Sequence, residues 1–153
     1  MHIYLLYGSQ TGNAQEISHH LSHILKENID KCEITVDKLN NYSENYEILN
    51  NSDYVIFVCS TTGNGDFPEN ASRFWRKIKS RKLEKELFSN VNYSVCALGD
   101  TNYSMFCFAG KNLNKRMSQL SAKEILPIFC MDAVDDDEEQ LEKYISLLLE
   151  KLN

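Results

Sequence analysis

Residues 7–14 read Tyr-Gly-Ser-Gln-Thr-Gly-Asn-Ala, a short hydroxyl-rich stretch that lies between an apolar run and a helical pattern. The apolar run, Ile3 to Tyr7, is bounded by Gly8, which is typical of a buried parallel strand. From Ala14 to Lys26, apolar residues recur at helical spacing. The sequence therefore predicts a strand, a tight turn and a helix.

The turn between this strand and helix, residues 8–14 (loop 1), has the groups that bind a phosphate. Ser9, Thr11 and Asn13 offer side-chain donors, and a helix start adds backbone N–H groups with about +0.5 charge. Loop 1 matches neither GxxxxGK[ST] nor GxGxxG. The pattern favours a monophosphate over a nucleoside triphosphate, although an ordinary capped turn uses the same residue types.

Apolar runs alternate with helical patterns along the rest of the chain. Tyr54–Cys59 is apolar throughout, which predicts a central strand buried on both faces. The alternation predicts a doubly wound α/β sheet, which binds ligands at the carboxyl ends of its strands. The other predicted strands are Cys32–Asp37, Val91–Leu98 and Glu124–Phe129; helices are predicted around 71–78, 113–120 and 141–152, and a loop with a short helix at 40–51.

Two further loops follow predicted strands. Loop 2, residues 60–70, reads Ser-Thr-Thr-Gly-Asn-Gly-Asp-Phe-Pro-Glu-Asn, and its glycines permit close approach to a planar ligand. Loop 3, residues 97–108, reads Ala-Leu-Gly-Asp-Thr-Asn-Tyr-Ser-Met-Phe-Cys-Phe, and Tyr103 can stack on such a ligand. Taken alone, Tyr103 is equally consistent with a surface aromatic residue. Because the carboxyl ends of parallel strands share one edge, the three loops together predict a flavin site.

Length and composition restrict the class of protein. A chain of 153 residues predicts one domain, 1–153, and the net charge of −6 argues against nucleic-acid binding. Five cysteines without a CxxC pair suit a reducing compartment. The short N-terminal apolar run has no basic leader, so we expect neither a signal peptide nor a membrane span, and a cytoplasmic location.

Charge is unevenly distributed along the chain. The acidic segment, residues 132–142, holds seven acids in eleven residues. It suits either a solvated helix start, favoured by the dipole, or a docking face for a cationic redox partner. The basic segment, residues 73–85, is most simply a solvated helix face and its continuation, with a local anion or partner contact as the alternative. His19 and His23 have a spacing that can bind a metal, but no third ligand is apparent.

The three loops, in this order and spacing, resemble the FMN-binding, flavodoxin-like domain of the diflavin reductase family, which includes cytochrome P450 reductase. The resemblance implies a five-stranded parallel sheet, order 2-1-3-4-5, with helices on both faces. Residues 60–63 and 105–107 look most like methionine synthase reductase. Residues 74–76 and 126–128 look more like NADPH-dependent diflavin reductase, so the choice between these members stays open.

The resemblance also implies a function. FMN would accept electrons from a module carrying FAD and NADPH, in cis or in trans, and pass them singly to a cationic acceptor that docks near Asp132 to Glu142. The chain would then be an electron-transfer domain of an NADPH-dependent diflavin oxidoreductase and not a self-sufficient enzyme. An FMN quinone reductase doing two-electron chemistry and a nonredox binding module are the alternatives on this fold.

The resemblance assigns individual residues to FMN. Residues 9–14 would hold the phosphate, Tyr103 would stack on one face of the ring, and Gly63 would lie beside flavin N5. An acid near the flavin edge is matched by Asp136. Cytochrome P450 reductase has an aromatic residue at the position of Thr62, so the second stacking partner is either absent or supplied by Phe67. The full implied set is Ser9, Gln10, Thr11, Gly12, Asn13, Ala14, Ser60, Thr61, Thr62, Gly63, Asn64, Gly65, Leu98, Gly99, Asp100, Tyr103, Phe106, Cys107 and Asp136.

Overall fold

A parallel sheet between two layers of helices forms the protein in the computed structural model, which describes residues 1–153. The strands are β1 (His2–Gly8), β2 (Glu33–Lys38), β3 (Tyr54–Ser60), β4 (Asn92–Gly99), β5 (Lys123–Glu124) and β6 (Phe129–Asp132). The helices are α1 (Asn13–Asn28), α2 (Glu69–Ile78), α3 (Phe108–Gln119) and α4 (Asp137–Leu152), with 3₁₀ turns at Leu39–Tyr42 and Tyr46–Asn51. A membrane-spanning helix would need to be longer and more apolar than any of these.

The strand order is β2-β1-β3-β4-β5, and every pairing is parallel. This order confirms the topology implied by the resemblance. The predicted central strand, β3, lies between β1 and β4, and its residues from Val55 to Cys59 are fully buried. An apolar strand is stable only where both of its faces are covered, which is the position that β3 occupies.

The last strand differs from the prediction of one continuous strand over Glu124–Phe129. The structure divides it into β5, which pairs with the start of β4, and β6, which pairs with its end. Pro127 lies between the two pieces, and proline has no N–H to donate to a sheet ladder. The interruption therefore moves the second half of the strand on to Phe129–Asp132.

Each face of the sheet carries its own hydrophobic core. Ile56 and Val58 of β3 pack with residues of α1 and α4, whereas Phe57 and Cys59 pack with residues of α2 and α3. This alternation follows from the two-residue side-chain period of a strand. A buried hydrogen bond of 2.7 Å joins the hydroxyls of Ser94 in β4 and Tyr144 in α4. The helices are thus held against both faces of the sheet.

Gly110 of α3 lies directly against β4, and this contact gives a test of the packing. A Cβ built on Gly110 lies 2.3 Å from the Cβ of Ala97. Alanine favours a helix over glycine by about 1 kcal/mol, but overpacking a core costs about 1–3 kcal/mol, and so short a contact exceeds the gain. We expect Gly110→Ala to lower the free energy of unfolding by about 1–2 kcal/mol in urea denaturation.

Gly63→Ala is the matched control for this prediction. Nothing lies within 4 Å of a Cβ built on Gly63, and its φ is not in the left-handed region. Its urea midpoint should therefore equal that of the unchanged chain. Equal midpoints for the Gly110 and Gly63 variants would show that α3 does not approach β4 this closely.

Candidate functional site

The register of the sheet brings the three loops together. Gly8 at the end of β1 lies opposite Cys59, and Ser60 at the end of β3 lies opposite Leu98. Loops 1, 2 and 3 therefore leave the sheet at nearly the same level. Between them is a cleft of about 290 Å³. Its lining residues are Gln10, Thr11, Asn13, Ser60, Thr61, Thr62, Gly63, Leu98, Gly99, Asp100, Tyr103 and Met105.

Eleven of these twelve lining residues belong to the set assigned from sequence, and Met105 is the addition. The other eight assigned residues do not line the cleft. For these residues a contact with the cofactor stays a prediction. They are Ser9, Gly12, Ala14, Asn64, Gly65, Phe106, Cys107 and Asp136.

Loop 1 has backbone N–H groups at the start of α1 that donate no hydrogen bond within the chain; we call these open donors. The Gly12 N–H donates to Ser9 Oγ at 2.9 Å, so the Ser9 hydroxyl closes the turn and does not cap the helix. Gly12 has a φ of 93°, a conformation that suits glycine. The N–H groups of Thr11, Asn13 and Ala14 find no acceptor within the chain. The structure thus differs from an ordinary capped turn, and it leaves the positive end of α1 open to an anion.

Asn70, at the second position of α2, fixes loop 1 from outside the cleft. Its side-chain oxygen accepts a hydrogen bond from the Ser9 N–H at 2.8 Å. Asn40 in turn binds α2, because its side-chain amide donates to the Glu69 carbonyl at 2.7 Å and its oxygen accepts from the Arg73 N–H at 2.9 Å. Sequence patterns do not indicate this bridge, because the contacts join residues 29 to 61 positions apart.

Loop 2 is a tight turn that directs Thr62 and Gly63 into the cleft. The Thr62 N–H donates to the Asp66 carbonyl, and the Gly65 N–H donates to the Thr62 carbonyl, both at 2.9 Å. Gly65 has a φ of 81°, which a residue with a Cβ rarely adopts. The turn therefore holds the exposed Gly63 at the rim, where its peptide has open space.

Phe67 does not take the place of the missing aromatic residue at position 62. Its ring stacks on Trp75 of α2, with a centroid distance of 4.6 Å and an interplanar angle of 17°. Phe67 is 9 % exposed and does not line the cleft. Of the two alternatives for the second stacking partner, the structure therefore excludes Phe67, which is part of the core beside α2.

Met105 supplies apolar surface on the side where Thr62 and Gly63 line the cleft. A Cβ built on Gly65 would lie 3.1 Å from Met105 Cβ and 3.2 Å from Met105 Cγ. The Met105 side chain thus reaches from loop 3 to loop 2 while it remains 39 % exposed. Tyr103 lies at the same rim and is 59 % exposed. An unpartnered aromatic ring and a flexible thioether are side chains that pack well on a planar ligand.

Asp132, at the end of β6, holds the base of loop 3. Its Oδ1 accepts hydrogen bonds from the Thr101 N–H at 3.1 Å and the Val134 N–H at 3.2 Å. Burial alone would raise the pKa of the Asp132 carboxyl, but the hydrogen bonds from Thr101 and Val134 outweigh it and bring the pKa below its ordinary value. The ionised carboxylate is therefore the form that fits the loop.

Asp136, assigned from sequence to the flavin edge, has a local partner. Its carboxylate accepts a hydrogen bond from the Glu139 N–H at 3.2 Å and caps α4. Asp136 is exposed and lies in the acidic segment, not in the cleft lining. The favourable interaction of carboxylates with a helix start explains this part of the acidic segment.

The cleft contains no cationic side chain. Asp100 is its one charged residue, so an anion there relies on backbone N–H groups and hydroxyls. Two basic residues near loop 1, Lys38 and Arg73, line a separate polar cleft of about 420 Å³ behind it. The main cleft therefore offers a phosphate only uncharged donors, and it offers a ring the apolar side chains at its rim.

The chain is similar in sequence to named proteins. The chain is 39% identical over 139 residues to NADPH-dependent diflavin oxidoreductase 1 of Xenopus laevis, and 38% identical over 133 residues to the Aspergillus fumigatus protein of that name. These matches cover 90% and 80% of this chain but only 22% and 19% of those proteins. The chain thus spans about a fifth of the length of these relatives.

Solved structures show the same fold. A cysteine-to-alanine mutant of flavodoxin from Pseudomonas aeruginosa superposes with a TM-score of 0.81 at 24% identity, with 99% of each chain covered. Oxidised flavodoxin 1 from Bacillus cereus gives a TM-score of 0.79 at 21% identity, with 100% of each chain covered. The family model described as flavodoxin matches residues 5–146. With this match over most of its length, the chain belongs to the flavodoxin family.

Proposed function

We propose that the chain is an FMN-dependent electron-transfer domain that takes electrons from a reductase module carrying FAD and NADPH and passes them singly to an acceptor protein. The observation that carries the proposal is the convergence of loops 1, 2 and 3 on one cleft that has open donors at one end and exposed apolar side chains at its rim. FMN is the cofactor of the flavodoxin family, and both of its parts match this cleft.

The phosphate of FMN suits the start of α1. Open N–H groups of Thr11 and Asn13, with the partial positive charge of the helix end, can hold it without a lysine or arginine. The Ser9 hydroxyl stabilises the turn, and Asn70 holds the Ser9 N–H, so the donors are already oriented. Loop 1 therefore anchors the cofactor and takes no part in its chemistry.

The ring end of the cleft positions the flavin. FMN supplies the one-electron and two-electron chemistry when it is bound. Tyr103 and Met105 provide surface for packing against its ring, while Leu98 and Gly99 form the floor of the cleft. The high exposure of Tyr103 leaves this end open to solvent, as an electron carrier that meets other proteins requires. No general acid or base is needed among the lining residues for this role.

A reductase module is the electron donor that we propose. Relatives similar to most of this chain are named NADPH-dependent diflavin oxidoreductase 1, and the similarity covers about a fifth of their length. We propose that residues 1–153 form one domain, and that FAD and NADPH bind to a separate module in cis or in trans. All five cysteines are free thiols, in keeping with the reducing cytoplasm that we propose as its location.

The acidic segment is the docking face that we propose for the acceptor. It has seven acids and no lysine or arginine. Asp132 joins it to loop 3 through the Thr101 N–H, and the Ala133 N–H donates to the Gly99 carbonyl at 2.9 Å. The segment therefore borders the cleft, and a cationic protein steered to it would arrive beside the flavin. The basic segment lies on α2 and the chain after it, and Arg73 is its one residue in either of the two clefts described.

The first test concerns the rim of the cleft. We expect Met105→Ala to weaken FMN binding about fivefold, or about 1 kcal/mol, because a thioether contact with an aromatic ring is lost. Titration of the chain with FMN, followed by flavin fluorescence, measures this. Phe67→Leu is the control: it should retain the FMN affinity and lose about 1 kcal/mol of stability, since Phe67 packs on Trp75. If Phe67→Leu weakened FMN binding and Met105→Ala did not, Phe67 and not Met105 would contact the ring.

The second test concerns Asp132 and pH. The folded pKa of Asp132 is below its ordinary value of about 3.9, so its stabilising contribution is fully present above that pH and is lost as the pH falls through the folded pKa. We expect Asp132→Asn to be less stable than the unchanged chain at neutral pH and the two to converge in acid, as measured by urea denaturation at several pH values. Asp135→Asn, at an exposed position of the same segment, should show no such difference. A constant gap for Asp132→Asn across the pH range would contradict the proposed role.

The third test concerns electron transfer. The FMN-loaded chain, reduced anaerobically, is mixed with cytochrome c, a cationic one-electron acceptor. We expect Asp135→Asn/Asp137→Asn/Glu138→Gln to slow the reaction about tenfold at low salt, because electrostatic steering is lost. The difference should disappear near 1 M salt, where charges are screened within about 3 Å.

The control for electron transfer is Lys79→Gln/Lys82→Gln/Lys85→Gln, in the basic segment, which should not slow the reaction. Failure of the chain to bind FMN would overturn the proposed function. Direct NADPH oxidation coupled to two-electron reduction of a quinone, without transfer to cytochrome c, would instead identify the quinone reductase alternative.

A further inference from the structure

Beneath loop 3, two cysteines from different parts of the chain pack on the same face of the sheet. Cys107 precedes α3, and Cys130 lies in β6 directly opposite Ala97 of β4. The Cys107 sulphur is 3.6 Å from the Ala97 carbonyl oxygen and 4.0 Å from the Met131 carbonyl oxygen, and so it spans the β4–β6 pair. Cys107 and Cys130 belong to the same hydrophobic core, on the face of the sheet covered by α2 and α3, so their side chains project to the same side of the β4–β6 pair.

The two thiols have different surroundings. Cys107 is fully buried, whereas Cys130 is partly exposed at the edge strand. The neighbouring Cys107 thiol lowers the pKa of Cys130 to about 7 against the opposing effect of burial, and the ammonium of Lys111 lowers it further. Interaction with Cys130, together with burial, raises the pKa of Cys107. Cys130 is thus the more ionised and more accessible thiol, which are the two properties of a reactive cysteine.

The flavin cleft does not account for this arrangement. Neither Cys107 nor Cys130 lines the cleft. The other buried thiols behave as core residues: burial raises the pKa of Cys59 to about 12, and burial also raises the pKa of Cys96. Cys130 is the one cysteine whose pKa is lowered. The lowered pKa therefore sets Cys130 apart from the cysteines that serve as core residues.

We propose that Cys130 and Cys107 form an oxidisable dithiol that reacts with a hydroperoxide and closes to a disulfide beneath loop 3. In the first step the Cys130 thiolate attacks the O–O bond, so an S–O bond forms, the O–O bond breaks and the leaving oxygen takes up a proton. In the second step the Cys107 sulphur attacks the Cys130 sulphur, the S–S bond forms and water leaves with the Cys107 proton. The two sulphurs lose two electrons to the peroxide. The products are the disulfide, one water from the second step, and an alcohol from the first step, which is water when the oxidant is hydrogen peroxide.

The experiment uses the fully reduced, FMN-free chain, so its outcome does not depend on the proposed electron transfer. After treatment with a small excess of hydrogen peroxide and alkylation of the remaining thiols, peptide mapping should show one Cys107–Cys130 cross-link. The number of titratable thiols should fall from five to three. Absence of this cross-link, with the chain still folded by circular dichroism, would overturn the proposal.

Single variants separate the two roles. With Cys107→Ser, the Cys130 sulfenic acid should persist and be trapped by dimedone, because no second thiol can displace its oxygen. Cys130→Ser should abolish the peroxide reaction at Cys107. Cys32→Ser, which removes a partly buried thiol outside the pair, is the control and should still form the cross-link. Oxidation of Cys107 at an unchanged rate in the Cys130 variant would show that Cys130 is not the attacking thiol.

Discussion

The parallel register of β1, β3 and β4 is the constraint on which the site depends. Gly8 is opposite Cys59 and Ser60 is opposite Leu98, so three loops far apart in sequence begin at one level. A slip of one residue in β3 would move Phe57 into the core occupied by Ile56, and every side chain of the strand would change face. The two dissimilar cores therefore fix the register, and the register fixes the meeting of the loops. The cleft is positioned by packing in the sheet interior more than by contacts among the loops.

Much of this fold could be predicted because its strands are apolar on both faces and are bounded by glycine or polar loops. Tyr54–Cys59 carries that pattern without interruption and is indeed the central strand. The pattern failed at the last strand, where apolar character continues through Pro127 although the sheet pairing does not. Hydrophobicity reports burial, but pairing also needs an N–H donor at each alternate position, and the proline lacks one.

The candidate site was predictable to the extent that its chemistry lies in residue type and in the backbone. The three loops follow buried strands, which is a property of local sequence, and eleven of the residues that the resemblance assigned to FMN line the cleft between them. Side-chain direction in a loop has no periodicity, so it is decided by distant neighbours. Phe67 packs in the core because its ring stacks on Trp75, and Met105 packs in the space left by the absence of a side chain at Gly65. The directions of these two side chains depend on contacts between residues that a sequence pattern does not relate to each other.

Loop 3 joins the floor of the cleft to the thiol pair beneath it. A Cβ at Gly99 would lie 2.8 Å from both the backbone nitrogen and the sulphur of Cys107, so no larger residue fits between cleft and thiol. Cys107 itself has a φ of 56°, the left-handed conformation that residues other than glycine seldom adopt. A backbone held in that conformation has little freedom to absorb a change at its side chain. A change in the bonding of the Cys107 sulphur would therefore meet Gly99, which lines the cleft.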